Sequence, residues 1–206
     1  MDKKEKAEKI YKKLHELYPE PHTPLNYSNP WELYVAVALS AQQTDKGVNA
    51  VTPDLFKKYK TLDDYRKVSL EEFDTDIKKI NFHGTKSKSI KKAADIVAEK
   101  YGGKMPETMA ELVQLPFIGR KTANVILQEA FGKTEGIVVD THVKRLANLF
   151  GLTSQKDPEK IEKDLMELLP KEKWHDFALG LIYYGREYCT ARCKHTDCPL
   201  RDLIQK

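Results

Sequence analysis

No apolar run in the 206-residue chain approaches the ~20 residues that a membrane-spanning helix requires. The first twenty residues, MDKKEKAEKIYKKLHELYPE, are charged and lack the apolar core of a secretory signal, so a cytoplasmic, non-membrane protein is expected, nucleoid-associated if the source is bacterial or archaeal. Cysteine is scarce as well. There are three, all between Cys189 and Cys198. An odd number so clustered argues against a disulfide framework and for a metal site, or a decayed one. Internal repeats, low-complexity tracts and long linkers are also missing, which leaves one large domain or two small ones sharing a core. Nor is the charge strongly one-sided. Lys and Arg number 35 against 31 Asp and Glu, and the formal net charge of +4 is weak evidence for an anionic partner. With 40% hydrophobic and 32% charged residues, the composition is that of a folded globular protein, not a disordered one.

What is present reads almost entirely as helix. Asn29-Pro30-Trp31-Glu32 places a cap, a first-position proline and a capping glutamate ahead of WELYVAVALSA, a segment apolar on nearly every side and therefore the expected central helix. Thr52-Pro53 is expected to open DLFKKY in the same way, and Ser69 to Glu72 and Thr108 to Glu111 read as capping boxes. In KSIKKAADIVAEKY, Ile90, Ala93, Ala94, Val97 and Tyr101 share one stripe that Gly102-Gly103 ends. Between Gly84 and Lys104, Lys86, Lys88, Lys91, Lys92, Lys100 and Lys104 face only Asp95 and Glu99, a net +4 that suits a solvated face or a phosphate-binding one. GIVVD is the one candidate strand. The expectation is an all-α protein of about ten short helices.

LPFIGRKTANVIL, residues 115–127, has the form of a helix-hairpin-helix: MAELVQL ends at Pro116, Ile118 and Gly119 turn the chain, and RKTANVILQEAF follows. Gly119 permits close backbone approach, and amides at the helix start suit a phosphate oxygen. The alternative is a plain αα-turn. Lys121 then stands in a first turn whose partial positive charge favours acids. It is either a phosphate contact or an amine whose charge is meant to be weakened, as a nucleophile requires. Downstream, VDTHVKRL offers Asp140, readable as an N-cap, and His142, readable as a packing residue. Gln42 and Gln43 emerge abruptly where the apolar helix ends.

Together these segments resemble the endonuclease III branch of the helix-hairpin-helix DNA glycosylases, on LSAQQTD (39–45), LPFIGRKTANVIL, VDTHVKRL (139–146) and YYGREYCTARCKHTDCPL (183–200). The resemblance covers almost the whole chain. It implies the helix-hairpin-helix glycosylase fold, two helical domains flanking a DNA-binding cleft: residues 22–133 as a six-helix domain, and 1–21 with 134–206 as the second. It implies Lys121 as nucleophile, Asp140 as its catalytic partner and Gln42 as the filler of the gap left by an extruded base. Phe82 is aligned with an apolar wedge, core packing being the other reading. Ile118, Gly119, Arg120, Thr122 and His142 would contact DNA. The implied activity is removal of oxidised pyrimidines from damaged double-stranded DNA by a monomer, with β-elimination 3′ of the abasic site through a lysine Schiff base. The helix N-terminus and burial in a cleft would both favour the neutral amine. Alternatives are a non-catalytic DNA-binding module on the same hairpin and a relative with another base preference; Lys121 together with Asp140 argues against the module.

Two departures from the family pattern stand out. Phe117 replaces the first hairpin glycine, which implies an adjusted turn or a side chain against the DNA. In the tail, Ile204 stands where the fourth cysteine of the family's iron–sulfur cluster belongs, so a standard four-cysteine cluster is not expected. Cys189, Cys193, His195 and Cys198 form a candidate Cys₃His set for zinc or an atypical cluster, or else an empty loop. No cofactor is needed for amine chemistry.

Overall fold

The computed structural model describes residues 1–204, and among these it is helical throughout, without strands. The helices are α1 Lys3–Leu17, α2 Pro30–Ser40, α3 Asp45–Asn49, α4 Thr52–Lys58, α5 Leu62–Lys67, α6 Leu70–Asp76 and α7 His83–Tyr101, then α8 Met109–Leu112, α9 Arg120–Phe131, α10 Thr141–Leu149, α11 Pro158–Met166 and α12 Trp174–Glu187. GIVVD is not a strand: residues 136–139 are buried without a ladder partner. The chain divides into two compact units, Pro24–Gly132, and Met1–Thr23 with Lys133–Lys206.

In the Pro24–Gly132 unit α2 is the centre. Asn29 caps it by accepting from the Glu32 amide, Pro30 is its first residue, and every side chain from Glu32 to Leu39 is buried. α3, α7 and α9 pack around it. Trp31, Tyr34, Tyr59, Tyr65 and Phe73 stack at one side, with ring centroids 5.1–5.7 Å apart in tilted, stacked and edge-on pairs. α7 buries the stripe Ile90, Ala93, Ala94 and Val97 and ends at Gly102, whose φ of +60° needs a residue without Cβ.

Three local expectations change. Thr52 does not cap α4; it is the first residue of that helix and is buried, and Val51 before it makes no side-chain cap. Leading proline fixes the start without the hydroxyl. The first helix of the hairpin is only Met109–Leu112, because the chain already turns at Leu115 and Pro116. Two of the lysines counted in the basic stretch are spent internally. Lys86 is buried, and Lys91 donates to the carbonyls of Tyr65, Arg66 and Val68 at the end of α5. The exposed positive charge of α7 is correspondingly smaller.

In the other unit α12 packs against α1 and α10. Gly180 and Gly185 make this possible. A Cβ at Gly180 would lie 3.0 Å from Leu14 Cβ, and one at Gly185 would lie 2.8 Å from His142 Nδ1.

Candidate functional site

The hairpin turn is anchored from below. Tyr34, fully buried on α2, donates its hydroxyl to the Pro116 carbonyl at 2.9 Å, and the Ile118 amide closes onto the Leu115 carbonyl at 3.2 Å. Ile118 points inward and joins the hydrophobic core, so its part in any DNA contact is limited to its backbone. Phe117 takes the left-handed conformation of the missing glycine, φ +64°, with its ring half-exposed. Gly119 caps α9, but its amide is not free for a phosphate. It donates to Thr122 Oγ1 at 2.9 Å, and that hydroxyl donates back to the Gly119 carbonyl. An anion at this turn would therefore meet the following amides of the first turn. Space above Gly119 is open: an added Cβ would meet nothing within 4 Å. Arg120 and Lys121, the first two residues of α9, are exposed.

Gln42 and Phe82 come together on one surface. Gln42 follows α2 with φ +53°, and Phe82 precedes α7 with φ +58° and 62% of its surface exposed. Core packing, the alternative reading of Phe82, is excluded by that exposure. Asn81 connects the two turns through Nδ2, which donates to the Gln42 carbonyl at 2.8 Å and to Gln43 Oε1 at 2.9 Å. Beside Phe82, an open cavity of about 750 Å³ is lined by Leu70, Asp74, His83 and Lys88 among others. His83 Nδ1 lies 2.8 Å from Asp74 Oδ1 and, as donor, holds that carboxyl below its usual value; burial opposes this and the Ser87 hydroxyl assists.

The left-handed, non-glycine residues among those described are Gln42, Phe82, Phe117 and His195. Each costs on the order of 1–2 kcal/mol relative to ordinary backbone, and such strain concentrates where side-chain direction matters.

Asp140 is the N-cap of α10. Its Oδ1 accepts from both the His142 and the Val143 amides at 2.8 Å, so the cap occupies one carboxylate oxygen. His142 is half-buried in the space that Gly185 leaves on α12.

Cys189, Cys193, His195 and Cys198 offer ligand atoms that all lie within 4.8 Å of one another. Cys193 Sγ is 2.9 Å from Cys198 Sγ, and His195 Nδ1 is 3.5 Å from Cys189 Sγ and 4.0 Å from Cys198 Sγ. A single tetrahedral ion with bonds of about 2.1–2.3 Å requires ligand separations of roughly 3.5–3.8 Å, which these atoms reach with small movements. A cubane cluster with one thiolate per iron needs a fourth cysteine, and Ile204 cannot ligate. Arg145 ties the loop to α10 by donating to the Cys189 carbonyl, and the Leu200 amide donates to the buried Tyr184 hydroxyl at 3.1 Å. The sequence does not single out Tyr34, Asn81 or Gly185, which support these sites, and presents Lys86 only as part of a basic stretch. Lys86 alone carried a signal, a lysine one turn before Ile90 on an apolar stripe.

Comparison with known proteins gives a consistent answer. Residues 35–171 match the model of the HhH-GPD superfamily base excision DNA repair proteins. The chain is 46% identical over 198 residues to endonuclease III of Bacillus subtilis, covering 94% of this chain and 89% of that one. It superposes with a TM-score of 0.93, at 40% identity, on endonuclease III in a non-covalent DNA complex, covering 100% of this chain and 96% of that one. A trapped covalent endonuclease III–DNA intermediate superposes equally well, at the same identity, covering 100% of this chain and 97% of that one.

Proposed function

We infer, for a chain that belongs to the HhH-GPD superfamily of base excision DNA repair proteins, a DNA glycosylase with associated abasic-site lyase activity on damaged duplex DNA. The observation that carries the reading is Lys121, an exposed amine in the first turn of α9 directly after the Gly119 turn. A helix start disfavours extra positive charge, so a lysine there suits chemistry better than stability. A relative at 40% identity has been captured as a covalent intermediate with DNA, which supports an amine nucleophile here.

In the proposed reaction the damaged nucleotide leaves the stack, Gln42 and Phe82 fill the gap, and the hairpin holds the backbone by phosphate contacts. The Lys121 amine attacks the sugar C1′ with its lone pair. The bond from C1′ to the base nitrogen breaks, and the base departs after taking a proton. Asp140 stabilises the positive sugar and moves the proton that opens its ring, giving the iminium. Loss of a C2′ proton then expels the 3′ phosphate, and water releases the lysine. A non-catalytic module would need neither Lys121 nor Asp140. Oxidised pyrimidines are the proposed substrate class. A panel of single-lesion duplexes tests this: release of oxidised pyrimidines with strand cleavage is expected, and processing restricted to a mismatched thymine or to 8-oxoguanine would overturn it.

For the tail, we propose that Cys189, Cys193, His195 and Cys198 hold one zinc ion, which would serve to fasten the loop and take no part in base removal. The close spacing of the four ligand atoms supports this. Elemental analysis of the purified protein should give about one zinc per chain and no visible absorption band; iron with such a band, or no metal, would refute it.

A further inference from the structure

We propose that Asn81 and Lys86 are positioning residues that lock the Gln42 turn to the Phe82 turn, so that both side chains enter the duplex as one preset unit. The proposal rests on the reading of Gln42 and Phe82 as the residues that fill the gap.

The observations form a closed circuit. Lys86 is 1% exposed, yet it is a lysine within the buried stripe of α7. Its ammonium donates to the Leu39 carbonyl at 2.8 Å and to the Ala41 carbonyl at 2.7 Å, two of the three carbonyls just before Gln42. A helix C-terminus carries partial negative charge and orphan carbonyls, so a cation there satisfies both. Burial nevertheless pushes that ammonium below the usual lysine value. A neutral apolar side chain would suit the stripe at no desolvation cost. What the lysine adds is a fixed link from α7 to the chain just before Gln42. The Lys86 amide in turn donates to the Phe82 carbonyl at 3.1 Å, so the same residue closes the turn that carries Phe82.

Asn81 supplies the second link, from Nδ2 to the Gln42 carbonyl and to Gln43 Oε1. Gln43 returns the connection by donating Nε2 to the Lys79 carbonyl at 3.3 Å. Gly47 makes room for this amide, because a Cβ there would lie 2.9 Å from Gln43 Nε2. Two strained residues, Gln42 and Phe82, are thus held by a shared set of hydrogen bonds. Fixing both before binding removes an ordering cost from the step in which the base leaves the stack.

The test compares strand cleavage at a lesion in duplex DNA with cleavage of a single-stranded abasic oligonucleotide, which requires no gap filling. Asn81→Ala removes two hydrogen bonds from an exposed residue and should lower the duplex-to-single-strand rate ratio about tenfold. Gln42→Ala should lower it too, and the double variant should lose less than the product of the two single losses. Lys86→Met should lower the ratio similarly, with reduced thermal stability; since it also removes a buried cap, the Asn81→Ala cycle carries the decision. An unchanged ratio for Asn81→Ala beside a lowered one for Gln42→Ala, or losses that multiply in the double variant, would overturn the positioning role. A ratio unchanged by Gln42→Ala itself would instead reject the gap-filling reading beneath it.

Discussion

Replacing Gly185 by alanine tests whether α12 sets the position of His142, and through it the start of α10. The added Cβ would lie 2.8 Å from His142 Nδ1, 3.0 Å from its Cβ and 3.2 Å from its Cγ. The Cβ contact is the decisive one, because that atom is fixed to the α10 backbone and no rotamer removes it. Overpacking of this kind costs about 1–3 kcal/mol. Alanine's better helix propensity returns about 1 kcal/mol, leaving a net loss of up to about 2 kcal/mol, or up to about 8 °C in Tm for a chain of this size. The His142 amide donates to Asp140 Oδ1, so a displaced first turn should also weaken base release. Thermal unfolding followed by circular dichroism measures the first effect, and cleavage of a lesion duplex the second. In His142→Gly/Gly185→Ala both the Cβ and the ring are gone, so adding Gly185→Ala to His142→Gly should cost much less than adding it to the native chain. A Tm above native for Gly185→Ala, or the same change in both backgrounds, would refute the reasoning.

Other expectations separate stability from chemistry. Asp140→Asn keeps a good N-cap side chain, so stability should move by only a few tenths of a kcal/mol while base release falls sharply; parallel losses would assign Asp140 to structure alone. Phe82→Ala should leave stability within about 0.5 kcal/mol of native, since the ring is exposed, yet lower cleavage of lesion duplexes. A large Tm loss would return Phe82 to the core. Asp74 has a carboxyl held below its usual value of 3.8, chiefly by His83. Its folded state thus binds the proton more weakly, so the stability it adds is present above that pH and is lost as pH falls through the lower folded value. Melting curves from pH 5 to 2 should therefore show a smaller acid-induced fall for Asp74→Asn than for the native chain, and an identical fall would contradict the His83 contact.

Much of the fold is legible in the sequence because its signals are local. Asn29 with Pro30, the Ser69 and Thr108 hydroxyls, and Gly102 act within one turn of themselves, and the helices they bound follow. Thr52 shows the limit: the proline alone fixes the start of α4, and burial claims the hydroxyl. The candidate site is legible where a residue type is out of place, as with Lys121 in a first turn and Phe117 for a glycine. It is not legible where a role depends on a partner far along the chain. Tyr34 reaches Pro116 across 82 positions, Asn81 reaches Gln42 across 39 and Lys86 reaches Leu39 across 47, and no local pattern encodes such pairs. Counting lysines overstated the basic face of α7 for the same reason.

The central claim, that the Lys121 amine bonds to the sugar, is tested most directly by borohydride reduction during incubation with an abasic or lesion-bearing duplex. The native protein should be trapped as a covalent protein–DNA adduct, and Lys121→Gln should give none while still binding the duplex. No adduct from the native protein, or an undiminished adduct from Lys121→Gln, would contradict the account.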